Sequence, residues 1–307
     1  MPFGGAKGEA KATSPAAGIH LGREDILLDL AARTGFDEDA FTLLPTPGAV
    51  SIPSPGTDLP PTYGETVPSG SNLHRAKRAY ATAAQSAGTA LTKLGVLGDQ
   101  APGLDHRARH WAFSLTRVHD SLAIAELDVP WWTYHAIDAV SDWLRVHERP
   151  VRAFEYGSGA STFWLAKRFD EVHSVEHHAG FGKMMADELA PLSNVEFRII
   201  EASKSAAPRV PSGKEDHAGL DFYDYVHAID TVPGEFDLVV IDGRAREACL
   251  AAAAPRLKPG GVVVYDNSAR RRYRPAIEAS GLFERKFRGL TPTLPYPEQT
   301  SVLFKAR

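Results

Sequence analysis

Val151-Arg152-Ala153-Phe154-Glu155-Tyr156-Gly157-Ser158-Gly159-Ala160-Ser161-Thr162 decides the fold. The short apolar run ending at Glu155 has the length and composition of a buried strand. A glycine turn follows it, and Phe163-Trp164-Leu165-Ala166 opens a helix. Strand, glycine turn and helix in that order make the first half of a nucleotide-binding βαβ unit. A backbone without Cβ turns sharply and lets a ligand come close. The helix start then aims unpaired N–H groups into the turn.

Working outward, the next strand is Glu171-Val172-His173-Ser174-Val175-Glu176, and Glu176 stands 21 positions after Glu155. An acid about 20 residues past the glycine turn is placed to bind ribose hydroxyls. A dinucleotide fits poorly, because Thr162 stands where the third glycine of G-x-G-x-x-G belongs and Glu155 before the turn would repel a pyrophosphate. A ligand with a ribose, no phosphate and a positive group fits better.

The α/β alternation continues without a break. Strands are predicted at 151–155, 172–176, 195–200, 236–241 and 262–265, with helices at 161–168, 182–189, 221–229 and 246–257 between them. Lys258-Pro259-Gly260-Gly261 reads as a tight turn. Two last strands, 282–288 and 300–304, are close enough in sequence to be antiparallel neighbours. The pattern predicts a doubly wound, mostly parallel sheet with helices on both faces, an antiparallel C-terminal hairpin and a helical N-terminal extension.

That extension divides into a disordered tail (1–20), a helical and loop region (21–129) with a proline-rich linker (44–71), and then the α/β domain (130–307). Helices are expected at 23–34, 72–94 and 105–127. His106 and His110 share a helix face at i, i+4, but HExxH is absent, and solvated histidines are the expectation. Pro130-Trp131-Trp132-Thr133-Tyr134-His135 opens a further helix with Thr133 as N-cap. Its aromatic residues are either core or the wall of a ligand site. The extension is open to three readings: a lid, a dimerisation element that would make a homo-oligomer, or a substrate domain.

Composition sets outer bounds. The chain has 307 residues, 43% apolar residues and a net charge of −4, ordinary values for a globular protein. No basic run advertises nucleic acid, and no apolar run is long enough to cross a bilayer. Cys249 is the only cysteine, which excludes an intrachain disulfide and fits a cytoplasmic location. In its alanine-rich helix it is expected as a small buried residue.

The opening stretch, Glu155-Tyr156-Gly157-Ser158-Gly159-Ala160-Ser161, resembles motif I of the class I S-adenosylmethionine-dependent methyltransferases, roughly acid-x-Gly-x-Gly-x-Gly, with Ser161 in place of the last glycine. The likeness covers about residues 130–307. It implies S-adenosylmethionine as cofactor, with Glu155 near its amino group, Gly157, Ser158 and Gly159 against its methionine part, Glu176 on both ribose hydroxyls and Glu201 near the adenine. Acids also end the fourth and fifth strands, Asp242 and Asp266-Asn267. Two carboxylates and an amide oxygen form a hard oxygen set for magnesium. This is similar to cation-dependent O-methyltransferases, in which such a metal binds a substrate hydroxyl pair; Ala245 replaces the lysine base of that family. Asp242, Asp266 and His177 are the catalytic candidates, with His178 beside His177 and Tyr296, Glu298 and Gln299 near the substrate. Without a metal, Asp242 and Asp266 are cleft acids and Asn267 a turn residue. The implied activity is O-methylation of a small-molecule or sugar-like substrate. Two alternatives stand beside it: a nicotinamide-dependent oxidoreductase, and a non-catalytic binding protein that keeps the fold.

Overall fold

A computed structural model describes residues 100–117, 121–213 and 217–306. The tail, the linker and the helices expected at 23–34 and 72–94 lie outside the described residues.

The glycine turn sits at the centre of a seven-stranded sheet. Its strands are β1 (Arg152–Tyr156), β2 (Glu171–Glu176), β3 (Val195–Ile199), β4 (Phe236–Ile241), β5 (Leu257–Tyr265), β6 (Phe283–Gly289) and β7 (Glu298–Phe304). Their order is β3-β2-β1-β4-β5-β7-β6. The first five are parallel, whereas β7 runs antiparallel to both β5 and β6. The chain steps outward from β1 to β3 and then crosses back to β4 beside β1. That reversal leaves a crevice beyond the carboxyl ends of β1 and β4, where ligands bind in open α/β sheets.

The two faces of the sheet follow from the period-two alternation of β1 and β4. Ala153, Leu238 and Val240 face one core together with Val262, Val264, Ile137, Val140, Trp132 and Trp164. Phe154, Tyr156, Val239 and Ile241 face the other, with Phe222, Tyr225, Leu250 and Ile277. Every residue of β4 is buried, so its unbroken apolar run is what a strand covered on both sides requires. Cys249 lies in the second core, fully buried as expected.

Helices α1 (Arg107–Ser114), α2 (Ser121–Glu126), α3 (Tyr134–Arg145), α4 (Ala160–Ala166), α5 (Ala179–Leu189), α6 (Tyr223–Val226), α7 (Arg246–Ala253) and α8 (Arg274–Ala279) connect or precede the strands. The helix expected over 105–127 is instead split into α1, a 3₁₀ turn at Leu115–Arg117 and α2. Thr133 precedes α3 but makes no cap bond; its hydroxyl donates to the Phe287 carbonyl at 3.3 Å. Strand β5 starts five residues earlier than its apolar run. Phe236 pairs with Leu257 and Leu238 with Val262, so Lys258–Gly261 forms a bulge inside the strand rather than a turn before it. Gly260 at φ +78° supplies the left-handed step. No helix among the described residues is long and apolar enough to cross a membrane.

Candidate functional site

The turn between β1 and α4 and the residues after β4 lie side by side because the strands pair. Tyr156 pairs with Ile241, and the Asp242 amide donates to the Tyr156 carbonyl at 2.9 Å. Gly157 must be glycine. Its φ is +94°, and a Cβ there would lie 2.7 Å from the Gly243 nitrogen and 2.8 Å from its Cα. Above this junction opens a cleft of about 610 Å³, open solvent at its mouth included. Ser121, Trp131, residues 157–161, 176–178, Phe181 and 242–244 line it.

Glu176 ends β2 with only 4% of its surface exposed. Its Oε1 accepts the His178 amide at 2.7 Å, while Oε2 has no bond from the described residues. An anchored carboxylate with one oxygen left over is suited to a diol. His178 is a helix cap: its Nδ1 accepts the Phe181 amide at 3.0 Å. His177 Nδ1 lies 2.8 Å from Glu176 Oε1, but off the line of a hydrogen bond, so both ring nitrogens are buried without a bonded partner. The ring sits against Phe222 and Tyr225, centroids 6.0 and 5.8 Å away, and the Tyr225 hydroxyl is likewise buried and unbonded. Unmet buried polar atoms carry a penalty of about 1–3 kcal/mol each, and a ligand with hydrogen-bonding groups would relieve it.

Glu155 is placed differently from the expectation. It is fully buried under the turn and does not line the cleft. Ser161 Oγ donates to its Oε1 at 2.5 Å. Thr162 Oγ1 and Ser174 Oγ each donate to its Oε2 at 2.6 Å. Burial pushes its carboxyl up to about 7, against the three hydroxyl bonds. Sequence reading noted Ser161 only as a missing glycine and overlooked Ser174. The signal was available: Ser174 is the register partner of Glu155 across β1 and β2. Glu201 is exposed and outside the cleft.

The acids after β4 and β5 do come together, but not as a metal site. Arg246, itself 5% exposed, stands between them. Its Nη2 donates to Asp242 Oδ1 at 2.6 Å and to the Asp242 carbonyl at 2.6 Å. Its Nη1 donates to the Asp266 carbonyl at 2.5 Å, and its Nε to the Gly243 carbonyl at 3.0 Å. Asp266 Oδ1 accepts from Thr300 at 2.9 Å, and Asn267 Oδ1 from Arg270 at 3.2 Å. The donor set does not fit magnesium, since a guanidinium holds the position between the acids and one side-chain oxygen of each intended ligand already accepts a hydrogen bond. No group of three or more His, Cys, Asp or Glu able to hold a metal occurs among the described residues. Asn267, at φ +50°, is a turn residue. Asp242 lines the cleft and Asp266, 5% exposed, does not. Burial raises both carboxyls, Asp266 to about 8, with the neighbouring Asp242 charge adding to the Asp266 shift.

Of the aromatic cluster, Trp131 lines the cleft, its Nε1 donating to Thr293 Oγ1 at 2.8 Å. Trp132 is core, edge-on to Trp164 at 5.5 Å. Tyr134 is buried and bonded to His110 Nδ1 at 2.7 Å. His110 is therefore a buried partner rather than a solvated histidine, and burial lowers its pKa. His135 lies 3.4 Å from Arg107, away from the cleft lining. Glu298 and Gln299 sit beside Asn267 and Ser268, where Gln299 Nε2 donates to Ser268 Oγ at 2.9 Å, and neither they nor Tyr296 line the cleft.

Residues 154–268 match a family model described as a methyltransferase domain. No curated protein matches the chain. Among solved structures, an rRNA methylase from Streptococcus thermophilus shares 12% identity over 56% of this chain and 96% of its own, with a TM-score of 0.41. A methyltransferase-like protein from Silicibacter pomeroyi shares 23% over 55% and 86%, at 0.37. The N-methyltransferase NodS from Bradyrhizobium japonicum, in complex with S-adenosylhomocysteine, shares 13% over 56% and 87%, at 0.35.

Proposed function

We propose, from the premise that residues 154–268 belong to the methyltransferase-domain family, that this chain transfers a methyl group from S-adenosylmethionine to an oxygen of a small-molecule acceptor. The observation that carries the cofactor reading is Glu176, which lines the cleft from the end of β2, buried and with Oε1 anchored by the His178 amide. The unbonded His177 nitrogens beside it fit a purine or ribose partner. Gly159 adds a second cradle, because the space where its Cβ would stand is empty to 3.8 Å.

When bound, the cofactor supplies a methyl group on a positively charged sulfur. The chain's own contribution is positioning and proton removal. Asp242 is the base this reading assigns. It lines the cleft, Arg246 fixes Oδ1, and Oδ2 has no bond from the described residues. Its carboxyl is raised by burial, and a carboxylate of higher proton affinity is the stronger base. Arg246 holds the carboxylate in place and supplies fixed positive charge beside it. Asp266, outside the cleft lining, is a positioning residue.

Calorimetry tests this directly. S-adenosylhomocysteine is expected to bind the wild-type chain and NAD is not; binding of NAD alone would overturn the reading. Glu176→Ala removes two charge-assisted hydrogen bonds, roughly 3 kcal/mol or more than a hundredfold in affinity, with the melting temperature little changed.

A further inference from the structure

The Asp242 end of the cleft carries more positive charge than its own acids neutralise. Three guanidiniums converge there. Arg246, 5% exposed, bonds Asp242 directly. Arg244, half-buried, lines the cleft two residues beyond Asp242. Arg270, also half-buried, donates from Nη2 to Asn267 Oδ1 at 3.2 Å, just past the end of the neighbouring strand β5. Burial raises the Asp242 carboxyl, and the charges of Arg246, Arg270 and Arg244 all pull the other way.

The acids that answer these arginines are Asp242, Asp266 and Glu298. Asp266 holds its proton to about 8, so it is neutral at pH 7. With both others ionised, three cations still face two anions. The excess shows on Tyr273 as well. Burial would raise its phenol, yet Arg246, Arg272 and Arg270 together hold it below its ordinary value. Fixed positive charge beside a low-dielectric wall attracts and holds anions.

Methyl transfer increases the imbalance. The acceptor O–H proton passes to Asp242, the oxygen bonds the methyl carbon, and that carbon's bond to sulfur breaks. Asp242 is then neutral, and the three cations face Glu298 alone. An acceptor that keeps a negative charge of its own through the reaction supplies the missing counter-charge, and a neutral one does not. Consecutive Cα atoms are about 3.8 Å apart, so those of Asp242 and Arg244 are at most about 7 Å apart. A hydroxyl at Asp242 and an anionic group at Arg244 therefore fit on one compact molecule.

We propose that the acceptor is a small hydroxylated anion, a hydroxycarboxylate or a hydroxyl-bearing phosphate ester, held by its anionic group on Arg244 while its hydroxyl meets Asp242. This deepens the methyl-transfer reading and rests on it. Arg244 is the specificity contact, because the guanidinium fork matches carboxylate and phosphate oxygens alike. Arg270, which does not line the cleft, adds charge from outside it.

Matched pairs of compounds test the proposal, at millimolar concentration with S-adenosylhomocysteine present and the melting temperature as readout. Salicylate is set against salicylamide for the carboxylate, and glycerol phosphate against glycerol for the phosphate. The anion of at least one pair is expected to raise the melting temperature while its neutral partner does not, and the pair that responds tells carboxylate from phosphate. In Arg244→Gln the dissociation constant of that anion should weaken about tenfold or more, the loss of a hydrogen bond between charged groups. Arg244→Lys should recover part of the loss, and affinity for S-adenosylhomocysteine should stay within about twofold in both variants. If Arg244→Gln does not fold, Arg270→Gln decides, with an expected loss of about two- to fivefold for one screened charge; unchanged anion affinity there would overturn the proposal. Equal shifts from charged and neutral partners, no shift from either anion, or an anion shift undiminished in Arg244→Gln would each overturn it and leave the cofactor reading standing. A wild-type chain that does not bind S-adenosylhomocysteine would overturn both.

Discussion

Gly157 and Gly159 have the same place in the sequence pattern and different physical reasons. Gly157 is needed by the protein: its φ is +94° and its Cβ would press on the Gly243 backbone at 2.7–2.8 Å. Gly157→Ala should destabilise by about 2–4 kcal/mol, from left-handed strain plus overpacking, read as a drop in melting temperature. Gly159 has an extended backbone, φ 168°, and the nearest atom to its Cβ would be Ser121 Oγ at 3.8 Å. The free protein therefore tolerates alanine there, within about 0.5 kcal/mol. If the space belongs to a ligand, Gly159→Ala should still lower affinity for S-adenosylhomocysteine at least tenfold, and unchanged affinity would place the ligand elsewhere. Sequence could not separate the two glycines, because both contacts come from residues far along the chain. Nor could it show that Glu155 and Ser161 bond each other: the pattern marks Ser161 as a departure, and only the turn's curvature brings it back over the acid.

At the level of elements, α7 and the ends of β4 and β5 form one unit around Arg246. Ala245 begins it in the left-handed region, φ +48°, uncommon for a residue with a Cβ. Arg246 follows directly, and its guanidinium reaches four acceptors in three residues, Asp242, Gly243 and Asp266. The acids at the strand ends were legible in sequence because open α/β sheets put binding groups there. What joins them was not. Two aspartates and an asparagine on adjacent strands look the same whether a metal or an arginine neutralises them, and the choice depends on a local turn. Arg246→Met leaves Asp242 buried without its partner and should lower stability by about 3–5 kcal/mol. Because the positive charge is built in, EDTA or added magnesium should change neither the melting temperature nor the affinity for S-adenosylhomocysteine. A magnesium-dependent gain in either would reinstate the metal. Element boundaries were less legible than elements. β5 was expected four residues long and is nine, because Gly260 lets a bulge stay in register where the local signal says turn.

Across the whole molecule, the sheet was legible because alternation between apolar strands and amphipathic helices is a property of the chain itself. The insertion of β7 between β5 and β6 was not, since only pairing energy selects it. The same long-range burial sets the pH response. Native Glu155 and Asp266 hold protons to about 7 and about 8, chiefly because burial penalises their charged forms; the unfolded chain releases them near pH 4. A native pKa above the unfolded value means that the folded state binds more protons in between, so stability falls as pH rises through that window. For Glu155 alone, a rise from 4.5 to about 7 corresponds to roughly 3 kcal/mol. Glu171, Asp128 and Glu284 act in the opposite sense. Arg152 holds Glu171 down to about 2, and Arg168 and Arg274 outweigh burial to lower Asp128 and Glu284, so their contributions are present above about pH 4.5 and lost on acidification. His110, lowered by burial, adds a contribution that fades as pH falls below its ordinary value of 6.5. Together these make the stability of the ligand-free chain fall from about pH 5 toward pH 8, because two raised carboxyls outweigh one lowered histidine. Urea denaturation at pH 6 and pH 8.5 should show the lower stability at pH 8.5, and Glu155→Gln and Asp266→Asn should each flatten that decline. A wild-type chain as stable at pH 8.5 as at pH 6 would mean that these acids ionise in place, and that the hydroxyl clamp and Arg246 compensate their charges fully.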